Sequence, residues 1–449
     1  MAWSIGANDV ANAMGTSVGS GGLTLKQAVL VAAVMEFAGA VFVGSHVSET
    51  VRSGIFDPSR FEALTLVLGF LSALLAAAVW LQVATWFGWP VSTTHSIVGS
   101  LVGIGVVLGG VGAVQWGRIG EIVASWVVSP LCGGVVAFAL MKLIHRLIID
   151  HKHPLAQTYR LVPWLTFYVA FVLSLVMVWK GLKNLHLNLP LGKALVVATL
   201  SGLAGAALAV AWTRRLRRLH DEERRTRGVE LEGDVPDGIP FVPKEYRSAP
   251  EPKVVLRPPL APGSELPAKR WEYRREFEFE KTESVFAAMM IASACFLAFA
   301  HGANDVANAI GPLAAVVAIV REGVVALKAA VPVWTLLLGG VGIVIGLATW
   351  GYKVIETIGR KITHLTPSRG FAANLGAATT IVAASRMGLP ISTTHTLVGA
   401  VLGVGLARGI EYLNLRMVRD IVISWLVTIP AGALLAVLFF YLLRLPFPG

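Results

Sequence analysis

Two blocks of eight identical residues, Gly6-Ala-Asn-Asp-Val-Ala-Asn-Ala13 and Gly302-Ala-Asn-Asp-Val-Ala-Asn-Ala309, each set one carboxylate and two carboxamides among small, apolar neighbours. The side-chain oxygens of Asn8, Asp9 and Asn12, and of Asn304, Asp305 and Asn308, are hard donors of the kind a small cation such as sodium prefers, and unwound backbone carbonyls at the glycines could complete the shell. Left uncompensated in apolar surroundings, a carboxylate would be costly, so these groups call for a partner. A second pair of motifs, Pro90-Val-Ser-Thr-Thr-His95 and Pro390-Ile-Ser-Thr-Thr-His395, has a different chemistry. Proline followed by hydroxyl residues and then an apolar run marks a helix N-terminus, where the missing proline N–H is no loss. The free N–H groups of that turn, its positive dipole end and the hydroxyls of Ser92, Thr93 and Thr94 form an uncharged cradle for a tetrahedral oxyanion. Ser392, Thr393 and Thr394 offer a second cradle. No Arg or Lys adjoins either motif, so cations held at Asp9 and Asp305 would supply the compensating charge. That combination describes a cation-coupled anion symporter.

Each motif also has a plain structural role. Asn and Asp beside glycine build turns, and Ser-Thr-Thr caps ordinary helices. Recurrence of both motifs in both halves favours a ligand site. Glu36, in the middle of an apolar stretch from Leu25 to Val47, is an intramembrane acid and hence a candidate for cation binding or coupling, or for a bond to a neighbouring helix. Its counterpart region, 341–347, has no acid. His95 and His395 suit hydrogen-bonded packing and proton transfer equally. The glycines of 99–103 and 399–403 read as close helix packing.

The elements that hold these motifs are membrane helices. Of the 449 residues, 55% are hydrophobic and 14% charged, a composition outside the range of soluble globular proteins, and mean hydropathy is +0.68. Apolar runs of roughly 20 residues point to an α-helical bundle and exclude a β-barrel, whose spans are shorter and alternating. The net charge of +11 comes from Lys and Arg lying between the apolar runs, which fits the positive-inside pattern and argues against nucleic acid as a partner. Cys132 and Cys295 are isolated, with neither a disulfide framework nor metal-ligand spacing. No nucleophile, triad or metal constellation facing water marks an enzyme.

Taken in order, residues 1–147 form a first transmembrane repeat, whose first span reads as truncated because only Met1 to Ile5 precede its motif. Residues 148–212 supply two additional helices, 213–283 a hydrophilic, Arg- and Pro-rich cytoplasmic linker, and 284–449 a second repeat. The motifs are offset by 296 residues (304 − 8) and 300 residues (392 − 92), so their order and spacing survive between the halves. Glu49-Thr50 even has a counterpart in Glu356-Thr357. With an odd number of crossings between them, the repeats have inverted topology, and the count reaches about twelve transmembrane helices, with the Pro-x-Ser-Thr-Thr segments as broken or re-entrant spans. The Lys180, Lys183 and Lys193 loop runs against the positive-inside pattern.

The paired Gly-Ala-Asn-Asp-Val-Ala-Asn-Ala and Pro-x-Ser-Thr-Thr-His blocks resemble those of the inorganic phosphate transporter (PiT) family, the phosphate permeases, over roughly residues 1–147 and 284–449. The resemblance implies twelve spans in a cell membrane, an intracellular central loop, outward termini and co-transport of inorganic phosphate with sodium or protons, in some bacterial members as a metal-phosphate complex. It puts the cation-binding acids at Asp9 and Asp305 and the phosphate-binding hydroxyls at 92–94 and 392–394, and it implies no cofactor. A sulfate permease of the same fold is the rival reading, because sulfate presents the same tetrahedron without a proton to donate. Monomer and homo-oligomer are both compatible with the sequence.

Overall fold

A computed structural model describes residues 1–44, 55–57, 60–179, 189–227, 270–322, 331–352, 354–355, 365–387, 389–409 and 413–447. Within them the chain is helical, and the sole β feature is an isolated bridge between Phe56 and Val114. The first repeat comprises α1 (Ala2–Gly19), α2 (Leu25–Val43), α3 (Ala63–Trp86), α4 (Thr93–Gly109) and α5 (Trp116–Ile144). The additional pair is α6 (Pro154–Val178) and α7 (Leu191–Thr226), packed on each other. The stretch expected as the second repeat, 284–449, holds most of α8 (Arg270–Glu322), then α9 (Val333–Trp350), α10 (Pro367–Arg386), α11 (Thr393–Arg408) and α12 (Leu415–Arg444). Among the described residues, 8 helices are long and apolar enough to cross a membrane by length and composition; α4 is apolar but shorter, at 17 residues.

Local chemistry sets the ends. At the start of α2 a capping box closes, with the Thr24 hydroxyl accepting from Gln27 N–H while the Gln27 amide oxygen accepts from Thr24 N–H. Ser92 and Ser392 cap α4 and α11, each accepting from the backbone N–H of the histidine three residues on, at 3.2 and 3.1 Å. Helix α1 continues through Gly15 and turns only at Ser20, with Gly21 at a φ of 77°, so the glycine-rich stretch is mostly helix.

The segment expected as linker is helical where it is described. Helix α7 runs on to Thr226 and α8 begins at Arg270, and the rest of that segment lies outside the described residues. Lys281 reaches Glu223 at 2.7 Å and Arg227 reaches Glu280 at 3.4 Å, tying the two helical extensions together. The Lys180 and Lys183 positions and both Glu-Thr pairs also lie outside the described residues.

Contacts between the repeats come in reciprocal pairs. A Cβ on Gly6 of α1 would fall 1.9 Å from the Ile343 carbonyl oxygen of α9, and one on Gly302 of α8 would fall 2.2 Å from the Glu36 carbonyl oxygen of α2. Only glycine permits that backbone approach, the usual means by which membrane helices gain packing energy. The same exchange occurs at Gly99 of α4, against the backbone of Ile429 in α12, and at Gly399 of α11, against that of Pro130 in α5. Pro130 and Pro430 both sit inside their helices. One packed set therefore holds α1, α2, α8 and α9, and another holds α4, α5, α11 and α12, with α3 and α10 beside them.

Candidate functional site

The acidic motifs lie on uninterrupted helices. Helix α1 passes through Gly6 and α8 passes through Gly302 without a break, which corrects the expectation that unwound glycine carbonyls complete a cation shell. Carbonyls inside a helix are already hydrogen-bonded, so any cation there must rely on side chains. The motif glycines serve the close helix contacts described above.

The side chains are buried and oriented by partners. Asn8 Nδ2 donates to Thr85 Oγ1 at 3.0 Å and to the Trp89 carbonyl at 3.1 Å; a carbonyl can only accept, so the Asn8 oxygen must face the other way. In the second repeat Asn304 Nδ2 donates to Ser385 Oγ at 2.8 Å. Asn308 Nδ2 donates to Thr93 Oγ1 and Thr94 Oγ1, both at 3.2 Å. The oxygens Asn8 Oδ1, Asn304 Oδ1, Asn308 Oδ1 and Asp305 Oδ1 are buried without a hydrogen-bond partner. Buried acceptors without donors are costly, and these oxygens are of the type that ligates a small cation. The side chain of Asn12 lies outside the described residues.

Helices α4 and α11 bring their N-termini to these acids from opposite repeats. Thr394 Oγ1 donates to Asp9 Oδ1 at 2.9 Å, and Thr393 Oγ1 donates to Asp305 Oδ2 at 2.8 Å, with Thr93 Oγ1 at 3.4 Å from the same oxygen. The two N-termini also touch each other: Thr94 Oγ1 donates to the Ile391 carbonyl at 2.9 Å, and Thr394 Oγ1 lies 3.3 Å from the Val91 carbonyl. Ser92, Thr93, Thr94, Ser392, Thr393 and Thr394 are all buried. Two helix N-termini, their dipoles and a ring of hydroxyls thus converge on one place, a concentration of donors suited to an anion.

His95 and His395 lie between the repeats, their rings 4.3 Å apart, with His95 on Trp126 at 3.8 Å and His395 on Trp425 at 3.5 Å. Nδ1 of His95 is 3.4 Å from the Trp425 carbonyl and Nδ1 of His395 is 3.5 Å from the Trp126 carbonyl, again a reciprocal pair. The stack packs both short helices onto α5 and α12.

Glu36 is fully buried, and Oε2 lies 3.0 Å from Nδ1 of His301. Nε2 of His301 is 2.9 Å from Asp305 Oδ2 and 3.9 Å from Asp9 Oδ2. His301 is the member of the site that sequence reasoning passed over, since it ends an apolar run and its counterpart before the first motif is Ile5. The signal was that difference between otherwise identical blocks. Thr85 and Ser385, and Asn374 with its bond from Thr16 at 2.6 Å, went equally unmarked as single polar residues on apolar helices.

The chain as a whole is similar to known proteins. The sequence pattern of the phosphate transporter family matches residues 5–436. The inorganic phosphate transporter 2-1, chloroplastic, of Arabidopsis thaliana is 45% identical across 98% of this chain and 70% of its own length. A solved structure described as the sodium-dependent phosphate transporter superposes with a TM-score of 0.81 at 38% identity, covering 99% of this chain and 96% of that one. The chain, with its membrane-length helices and a family pattern matched over nearly its whole length, belongs to the phosphate transporter family.

Proposed function

We propose that this protein is a secondary active symporter that carries inorganic phosphate across a cell membrane together with sodium. The observation that carries the reading is the direct contact of the two halves at the site, where Thr394 donates to Asp9 and Thr393 to Asp305. Phosphate binds at the N-termini of α4 and α11, using the hydroxyls of residues 92–94 and 392–394. Sodium binds to the carboxamide and carboxylate oxygens of Asn8, Asp9, Asn304, Asp305 and Asn308, and the cations lower the cost of holding a multiply charged anion away from water.

The reciprocal contacts support two inverted repeats related by an axis in the membrane plane, with about twelve spans in all and the segment after α7 on the cytoplasmic side. Transport follows when the set of α1, α2, α8 and α9 rocks against that of α4, α5, α11 and α12, exposing the loaded site alternately. Uptake of labelled phosphate and labelled sulfate into proteoliposomes under imposed sodium or proton gradients tests the reading. Phosphate accumulation driven by sodium is expected; accumulation of sulfate instead, or phosphate uptake indifferent to sodium, would sink it.

One observation favours a second reading. Asp9, His301 and Asp305 each present a ligand atom within 4.8 Å of the others, a set that would suit a divalent metal carried as a neutral metal-phosphate complex with protons. In the same vesicles, phosphate uptake that requires a divalent cation and not sodium would select it.

A further inference from the structure

The reciprocal glycine contacts match the two repeats residue by residue at the site. Gly6 meets Ile343 as Gly302 meets Glu36, so Glu36 occupies the place of Ile343. The residue before each glycine completes the comparison, with Ile5 in one repeat and His301 in the other. Where one half buries Ile5 and Ile343 in a single apolar cluster, the other buries an imidazole 3.0 Å from a carboxylate. On the Ile5 and His301 side the exchange directly precedes the identical blocks 6–13 and 302–309.

The exchange acts unevenly on the two acids. Nε2 of His301 is 2.9 Å from Asp305 Oδ2 but 3.9 Å from Asp9 Oδ2. Nε2 of His301 thus stands beside the same Asp305 oxygen that accepts from Thr393, where it competes with a cation for that acid. The pair as a whole is balanced, since Glu36 faces the far side of the ring, but its imidazole end is the end presented to Asp305. Coulomb terms fall with distance, and a buried group 1.0 Å closer (3.9 less 2.9) weighs more on the nearer acid. Burial of all four residues, at 0–1% exposure, leaves little solvent to level the difference.

We propose that the Glu36–His301 pair makes the two cation half-sites unequal, so that sodium binds more tightly at Asp9 than at Asp305. Glu36 and His301 are in this sense positioning residues: Glu36 faces one side of the ring, and the other side of the ring stands against Asp305. The inference rests on the sodium reading above, and it assigns an order to loading, with the Asp9 half filled first and the Asp305 half filled only once phosphate adds its negative charge.

Calorimetric titration of sodium into the purified full-length protein tests it, at fixed pH and ionic strength, in single-site backgrounds. Asp305→Asn leaves the Asp9 half, Asp9→Asn leaves the Asp305 half, and the first is expected to bind sodium roughly tenfold more tightly. Replacing the pair by its counterpart, Glu36→Ile with His301→Ile, should tighten the remaining half in the Asp9→Asn background by roughly the same factor and leave the other background nearly unchanged. A merely structural role would weaken both backgrounds alike, and that result overturns the proposal, as does no change in either. If the pair replacement fails to fold, the reverse change, Ile5→His with Ile343→Glu, should weaken the Asp9 half selectively; no selective loss there overturns the proposal as well. Absence of any sodium binding by the unmodified protein removes the sodium reading itself, and this inference with it.

Discussion

Thr394 Oγ1, in the first turn of α11, donates to Asp9 Oδ1 of α1 at 2.9 Å across a separation of 385 residues in the chain. The bond joins the anion cradle of one half to the acid of the other, so on the proposed reading neither ligand can bind without the groups that serve its partner. Substitutions at the site should therefore sort by which ligand they disturb first.

Asp9→Asn and Asp305→Asn nearly preserve shape while deleting one charge each. Both acids are buried and neither maintains the glycine-mediated helix contacts, so folding should survive, as judged by monodispersity and thermal unfolding in detergent. Sodium-driven phosphate uptake should be abolished or uncoupled in each. Normal coupled uptake by either variant would show that its carboxylate does not carry the cation.

Hydroxyl deletions should behave differently from one another. Ser92→Ala and Ser392→Ala remove helix caps, with an expected loss of about 1 kcal/mol of stability as well as weaker phosphate binding. Thr94→Ala and Thr393→Ala remove donors inside the cradle, and each should weaken phosphate by about 1 kcal/mol. Thr393→Ala should also perturb sodium, because its hydroxyl bonds Asp305 directly, whereas Ser92→Ala should not. Equilibrium phosphate binding measured beside sodium binding for this set separates the two effects.

Glycine packing offers a test of the fold alone. Gly6→Ala and Gly302→Ala would drive a methyl into a backbone carbonyl of the facing helix, at 1.9 and 2.2 Å, and helix backbones cannot retreat as a flexible side chain can. A drop in thermal stability corresponding to roughly 1–3 kcal/mol or more is expected for both. Gly112→Ala, where a Cβ would meet nothing within 4 Å, should stay within about 0.5 kcal/mol of the parent. Equal behaviour of the three variants would mean that the helix contacts at the motif glycines are wrong.

What the sequence disclosed follows from what repeats. Identical blocks marked Asp9, Asp305 and the six hydroxyl residues, because duplication makes a pattern visible that one copy leaves ambiguous. His301 and Glu36 were hard to join for the opposite reason, since each is unique to one repeat and nothing local says that positions 36 and 301 meet. The helical extensions were hidden by composition. Arg224, Arg225 and Arg227 look like a solvated charge run, yet Arg227 pairs with Glu223 at 2.6 Å and Arg224 with Asp221 at 3.6 Å, the i,i+4 and i,i+3 spacings of a helix. The hydrophobic pattern cannot register such a helix, because the face it packs is itself charged, Arg227 pairing with Glu280 and Lys281 with Glu223. Unwound backbone at the acidic motifs was expected from glycine content alone, while the glycines answer to the facing helices Val333–Trp350 and Leu25–Val43, which the local sequence does not contain.

The last expectation concerns linkage. If sodium at Asp9 and Asp305 offsets the charge of phosphate held by the same threonines, each ligand must raise the other's affinity, and by the same factor, because the two routes to the loaded state end at one free energy. A coupling free energy in the common range of about 1–3 kcal/mol corresponds to roughly 5- to 150-fold. Phosphate should then bind weakly in choline and tightly in sodium, and sodium should show a matching shift when phosphate is added. Thr393→Ala should reduce that shared factor, since it removes the contact between cradle and acid, while a variant at Gly112, beyond the C-terminal end of α4, should leave it intact. Calorimetry of the four corners of this cycle, at fixed pH and ionic strength, decides the matter: equal phosphate affinity with and without sodium would mean that the contacts between the halves bind two ligands but do not couple them.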